Sequence, residues 1–246
     1  MPTTIHWMLV DSARTPLETR AFLSPSELER FSAFRFPKRR DEWLLGRWAA
    51  KALAHSLPAY QDYPLDRIEI QNTPAGVPFI QVHGQAASPD CLTISHSGHL
   101  ALCALAAGPD LRVGADLEKI ELRTGTFILD YFTPAESQLV ETYPPDTRAV
   151  VVTLIWSAKE AMLKAMGVGL RWDTRSVEVR RVDGLLPAGD STGKWQELQV
   201  GEVNASQAAW SAWWQRRGQF ILTLTEFAAR PSEIRSAHLV EQKLPC

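Results

Sequence analysis

The sequence predicts an α+β chain that uses one plan twice: two similar lobes, each a helical hairpin packed on a mostly antiparallel sheet. Three observations carry this reading. Ser24-Pro25-Ser26-Glu27 and Thr133-Pro134-Ala135-Glu136 are both capping boxes, with a hydroxyl cap, Pro at the first helical position and Glu at the third. Each is followed by a long helical pattern and then by short strand-like runs. Trp48-Ala49-Ala50-Lys51 in the first long helix is echoed by Trp156-Ser157-Ala158-Lys159 in the second, about 108 residues later.

The elements follow in order. Ile5 to Val10 reads as a strand. The helix begun at Ser24 carries Leu28 and Phe31 and is expected to end near Phe36-Pro37. A second helix, Lys38 to Leu57, is basic at its start, and Pro58 lies just past it. Strands are expected at Arg67–Gln71, Pro78–Val82, Cys91–Ser95, Leu100–Ala107 and Arg112–Glu118, separated by Gly-containing turns. In the second half the long helix spans Asp146 to Met166, with strands near Ser176–Val182, Lys194–Val203, Ala208–Gln215 and Phe220–Phe227. The Gly108-Pro109-Asp110 connector marks a boundary, giving lobes 1–110 and 111–230 and a weakly patterned tail, 231–246, expected to be poorly ordered.

Composition narrows the function classes. In 246 residues, 26 basic and 28 acidic side chains nearly balance, so no polycation points to nucleic acid. Cys91, Cys103 and Cys246 form neither a CxxC pair nor a zinc spacing, and an odd, sparse set fits a reducing compartment. No apolar run approaches the roughly 18 residues of a membrane span. The expectation is a cytoplasmic, monomeric protein that engages neither nucleic acid nor membrane.

Three segments carry chemistry. In Trp156-Ser-Ala-Lys159-Glu160-Ala-Met-Leu-Lys164, the residues Trp156, Glu160 and Lys164 share a helix face. The carboxylate beside the ammonium reads either as a surface ion pair or as a metal ligand or base with a cation to manage phosphate charge. In Gly114-Ala115-Asp116-Leu117-Glu118, strand alternation puts Asp116 and Glu118 on one face. They form either an exposed acidic strand end or a site for a hard cation. In Ser95-His96-Ser97-Gly98, the polar strand end suits phosphate; the rival readings are a turn histidine and a serine nucleophile with its base. A basic helix start, Lys38-Arg39-Arg40 with Arg47 and Lys51, is either a solvated face or a phosphate grip.

The order of these segments resembles the Sfp-type 4′-phosphopantetheinyl transferases. The likeness runs from about Phe34 to Leu170 and includes Phe132-Thr133-Pro134-Ala135-Glu136 and Gly167-Val168-Gly169-Leu170. It implies a pseudo-dimer of two lobes with the active site between them. It implies an enzyme that moves the phosphopantetheine arm of coenzyme A onto a serine of an apo acyl or peptidyl carrier protein, releasing adenosine 3′,5′-bisphosphate. Carried over by motif, Asp116, Glu118 and Glu160 hold Mg²⁺ (or Mn²⁺), Glu160 is the base, and Lys164 neutralises the pyrophosphate. Ser95 and His96 contact the coenzyme A phosphates, and Lys38, Arg39, Arg47 and Lys51 hold the nucleotide end. The carrier contact is expected to be apolar with a basic rim, near Arg123 to Tyr131. Two positions depart from the family pattern: Val77 stands where Gly-Lys-Pro has its lysine, and Ala115 replaces a branched residue. The rival functions are a metal-independent hydrolase using Ser95 and His96, and a non-catalytic module that binds carrier proteins.

Overall fold

The computed structural model describes residues 4–108, 111–182, 193–203, 210–228 and 238–244. In chain order its elements are β1 (Thr4–Asp11), α1 (Pro25–Ser32), α2 (Pro37–His55), β2 (Ile68–Asn72), β3 (Pro78–Val82), β4 (Cys91–Ser97), β5 (Leu100–Ala106), β6 (Leu111–Lys119), α3 (Gly125–Tyr131), α4 (Pro134–Glu141), α5 (Arg148–Ala165), β7 (Val177–Val182), β8 (Gln196–Glu202), β9 (Trp210–Arg217), β10 (Phe220–Ala228) and β11 (His238–Glu241). The chain divides into two compact units, residues 2–109 with 237–246, and residues 110–236.

In the first unit, Ser24 caps α1 and Glu27 returns the bond, closing the box foreseen from sequence. The helix stops at Ser32, earlier than expected, and its C-cap is Ala33. The Ala-rich half of α2 is small enough to lie flat on the sheet, and residues 45–54 are all buried. The sheet order is β11-β1-β5-β4, with β2-β3 as a separate hairpin. The core gathers Phe22, Trp48, Leu53, Ile68, Ile80, Leu92 and Leu105. Cys103 lies in it fully buried, and burial pushes its thiol pKa up, as expected of an inert core thiol. Within the tail, β11 pairs in parallel with β1, and Gln242 Nε2 meets His6 Nδ1 at 3.0 Å. Residues 229–237 and Cys246 lie outside the described residues.

In the second unit the five-stranded sheet runs β6-β10-β9-β8-β7, covered by α5. The second capping box forms at Thr133 and Glu136. Helix α3 was not foreseen; Thr124 caps it. The element plan repeats that of the first unit. A strand, a boxed helix, a long helix and two hairpins follow in the same order, and the strand order β6-β10-β9-β8-β7 corresponds to β1-β5-β4 and then β3-β2.

A buried brace repeats as well. Lys51 Nζ lies 2.5 Å from the Glu27 carboxylate, and Glu27 Oε1 accepts from Ile70 N. Lys159 Nζ lies 2.5 Å from Glu136, and Glu136 Oε1 accepts from Val179 N. Each brace ties the boxed helix, the long helix and the first strand of the following hairpin. The Glu of each box is thus a core residue as well as a cap.

Candidate functional site

The unit of residues 110–236 places its acidic cluster where β6 meets α5. Gly114 makes this meeting close: a Cβ there would lie 1.8 Å from Ala161 O and 2.8 Å from Ala165 N. Two residues further on, Asp116 and Glu118 point to one face, as strand alternation requires. Glu160 on α5 completes the group, and one oxygen from each of Asp116, Glu118 and Glu160 lies within 4.8 Å of the others.

Electrostatics makes this an unusual assembly. Burial, then the neighbouring Asp116, pushes Glu160 up to about 8. Burial and Asp116 likewise raise Glu118 to about 7, although Arg123, Trp156 and Lys164 pull the other way. Lys164 Nζ is 2.6 Å from Asp116 Oδ1 and 3.8 Å from Glu160 Oε2. Burial works against its charge, but Asp116 and Glu160 outweigh burial and raise its pKa. Three hard oxygen donors with incomplete cationic compensation suit a divalent cation of the Mg²⁺ type.

The glutamate of β6 is also held from outside the cluster. Trp156 Nε1 donates to Glu118 Oε1 at 3.2 Å, and Arg123 Nη2 reaches Glu118 Oε2 at 3.3 Å. Trp156 also lines an open pocket of about 380 Å³ with Phe127, Tyr131, Leu170 and Trp172.

The other unit carries a basic, aromatic cleft of about 1080 Å³ between the α1–α2 corner and the β2–β3 turn. Lys38, Arg39, Arg47 and His96 line it, together with Arg30, Phe36, Trp43 and Asn72. Arg47 is almost fully buried, and burial lowers its pKa to about 10 despite Glu27. Its guanidinium lies 4.9 Å from the Trp43 ring centre, and Nη2 donates to Asn72 Oδ1 at 2.8 Å. Asn72 Nδ2 donates onward to Gly76 O, fastening the 73–77 turn. The Arg47 Nε–H has no hydrogen-bond partner among the described residues. A buried cationic donor so placed suits an anion.

Two expected ligand residues fare differently. Lys51 does not reach this cleft. It is fully buried, and its ammonium donates to Phe22 O at 2.6 Å and Leu65 O at 3.1 Å while pairing with Glu27. An ammonium has three hydrogens, and these partners use them. Ser95 is buried on the face of β4 opposite exposed His96, and only His96 lines the cleft. Neighbours on opposite strand faces do not form a nucleophile–base pair. Sequence reasoning missed Arg30, because nothing in α1's pattern says which neighbour its charged face meets. It also missed Arg123 as a partner of Glu118.

Residues 112–224 match the 4′-phosphopantetheinyl transferase superfamily. That part of the chain is similar to the superfamily. The matched span includes the whole acidic cluster. Among its curated relatives are the L-aminoadipate-semialdehyde dehydrogenase-phosphopantetheinyl transferase of Xenopus laevis, 29% identical over 63% of this chain and 53% of that protein. The 4′-phosphopantetheinyl transferase HetI of a Nostoc species is 31% identical, over 61% of this chain and 62% of that protein. The 4′-phosphopantetheinyl transferase of Bacillus subtilis is 34% identical, over 45% and 50%. The chain thus spans between half and two thirds of the length of these relatives. Among solved structures, a Bacillus anthracis holo-(acyl-carrier-protein) synthase aligns at TM-score 0.37 and 19% identity, over 44% of this chain and 100% of that one.

Proposed function

We propose that this protein transfers the 4′-phosphopantetheine arm of coenzyme A to a serine of an apo carrier protein. The observation that supports it best is the set of three carboxylates beside Lys164, lying inside the segment that matches the superfamily. In this reading the serine Oγ attacks the phosphorus that bears the pantetheine arm. A P–O bond to serine forms, the bond to the bridging pyrophosphate oxygen breaks, and adenosine 3′,5′-bisphosphate leaves. Such a displacement needs charge neutralisation and alignment more than covalent help.

Asp116, Glu118 and Glu160 would hold a divalent cation, which would supply charge neutralisation on the pyrophosphate. Glu160 takes the serine proton. Lys164 stands ready to meet phosphate charge, held in place by Asp116. Arg47, with Lys38, Arg39 and Arg30, receives the nucleotide's phosphates, while Trp43 and Phe36 offer rings for its base. Arg30 and Arg47 stand in for the family lysine replaced by Val77. The carrier rests on exposed Leu122, Leu129, Tyr131 and Trp172. The rim of that surface carries Glu121, Asp130 and Asp173 together with Arg171 and Arg175, so it is mixed in charge where the family resemblance implies a basic one.

The test is intact-mass spectrometry of an apo acyl carrier protein incubated with this protein, coenzyme A and Mg²⁺. The expected result is a gain of one phosphopantetheine, abolished by chelator and by Glu160→Gln or Asp116→Ala. Unchanged turnover by both variants rules out the carboxylate assignment. Transfer that survives chelation removes the cation from the reading.

A further inference from the structure

Both oxygens of Glu118 are engaged, each from a different segment. Trp156 Nε1 holds Oε1, and Arg123 holds Oε2. These two partners are themselves tied together. The Arg123 guanidinium lies 5.0 Å from the Phe127 ring centre, and the Phe127 ring meets the Trp156 ring edge-on at 5.0 Å. Glu118, Arg123, Phe127 and Trp156 therefore close a ring of contacts joining β6, the loop after it, α3 and α5. Arg123 is short of solvent, its side chain 26% exposed, and it meets Glu118 through Nη2 and Phe127 through the guanidinium face.

The ring answers a physical need. Asp116 and Glu160 repel a third carboxylate brought within 4.8 Å of them. Left to itself, a glutamate on three rotatable bonds turns away to relieve that repulsion. A guanidinium on one oxygen and an indole N–H on the other hold it in place. Outer partners of this kind orient ligands at metal sites.

We infer that Arg123 is a positioning residue that presets Glu118 for a divalent cation, with Phe127 and Trp156 holding Arg123 and Glu118 in register. The inference rests on the carboxylate group being a cation site, as proposed above. Arg123 touches neither substrate nor cation; it acts through Glu118.

The experiment is isothermal calorimetry of Mg²⁺ or Mn²⁺ against the free full-length protein, without coenzyme A, alongside steady-state transfer. The variants are Arg123→Met, which keeps the stem over Phe127 and loses the charge, and Arg123→Lys, which keeps the charge and loses the fork. Arg123→Met is expected to raise the cation Kd about tenfold or more, the usual cost of an outer partner. Its thermal midpoint in chelator should stay unchanged, and its transfer rate should recover toward wild type as the cation concentration is raised. Arg123→Lys should recover part of the affinity. Unchanged or tighter cation binding by Arg123→Met overturns the inference while leaving the cation site standing, provided Asp116→Ala abolishes the binding. No cation binding by the wild type overturns both.

Discussion

Gly114 sets how closely the carboxylates of β6 approach Glu160 of α5. The Cβ of an alanine there would collide with helix backbone, which has no rotamer to yield. Gly114→Ala is expected to cost about 2–3 kcal/mol in overpacking, and to reduce transfer further than stability explains. Thermal melting and turnover on one preparation separate the two. At this scale much of the site was legible. Period-two alternation placed Asp116 with Glu118, and the i, i+4 step placed Glu160 with Lys164. Lys51 was misread because it sits on a basic helix, one turn from Arg47, which does line the cleft. Only the tertiary contacts with Glu27, Phe22 and Leu65 reveal that it turns inward.

The two long helices are each anchored by a lysine on a buried glutamate, and this decides what happens when either lysine is lost. Burial lowers the pKa of Lys51 and of Lys159, and the paired glutamates oppose the shift. Removing one partner strands the other, at about 3–5 kcal/mol. Lys51→Met is therefore expected to lower the unfolding midpoint clearly while leaving the KM for coenzyme A within about twofold of wild type. A large KM rise with unchanged stability would return Lys51 to the ligand set. Both capping boxes and both long helices were readable from residue type and spacing, because caps act locally. Helix α3 was not. It is short, opens with Gly125-Thr126, and owes its stability to Phe127 packing on Trp156. Such tertiary support leaves little periodic trace over seven residues.

Across the molecule, the carboxylate group makes stability depend on pH and on cation. Glu118 and Glu160 titrate near 7 and 8 in the folded protein, against roughly 4.3 in an unfolded chain. Between those values the folded state binds more protons, so stability falls as pH rises from about 4.5 to 8. Melting in chelator at pH 5 and pH 8.5 should show the lower midpoint at the higher pH. Mg²⁺ should restore more at pH 8.5 than at pH 5. Equal midpoints in chelator would mean the two glutamates titrate normally. The repeated plan of the chain was visible in its two capping boxes and paired Trp-x-x-Lys segments. The place of its last strand was not, since four residues, His-Leu-Val-Glu, hold no long-range address.

That last strand has a consequence for how the protein is made. As the chain leaves the ribosome, β1 to β5 emerge first, yet the edge of β1 stays open until residues 238–241 follow. The whole second unit is synthesised in the interval and has all its own strands to hand. During that delay the free edge of β1 offers unpaired N–H and C=O groups to any neighbouring chain. Slower translation across the second half lengthens the exposure, and early termination before residue 238 makes it permanent.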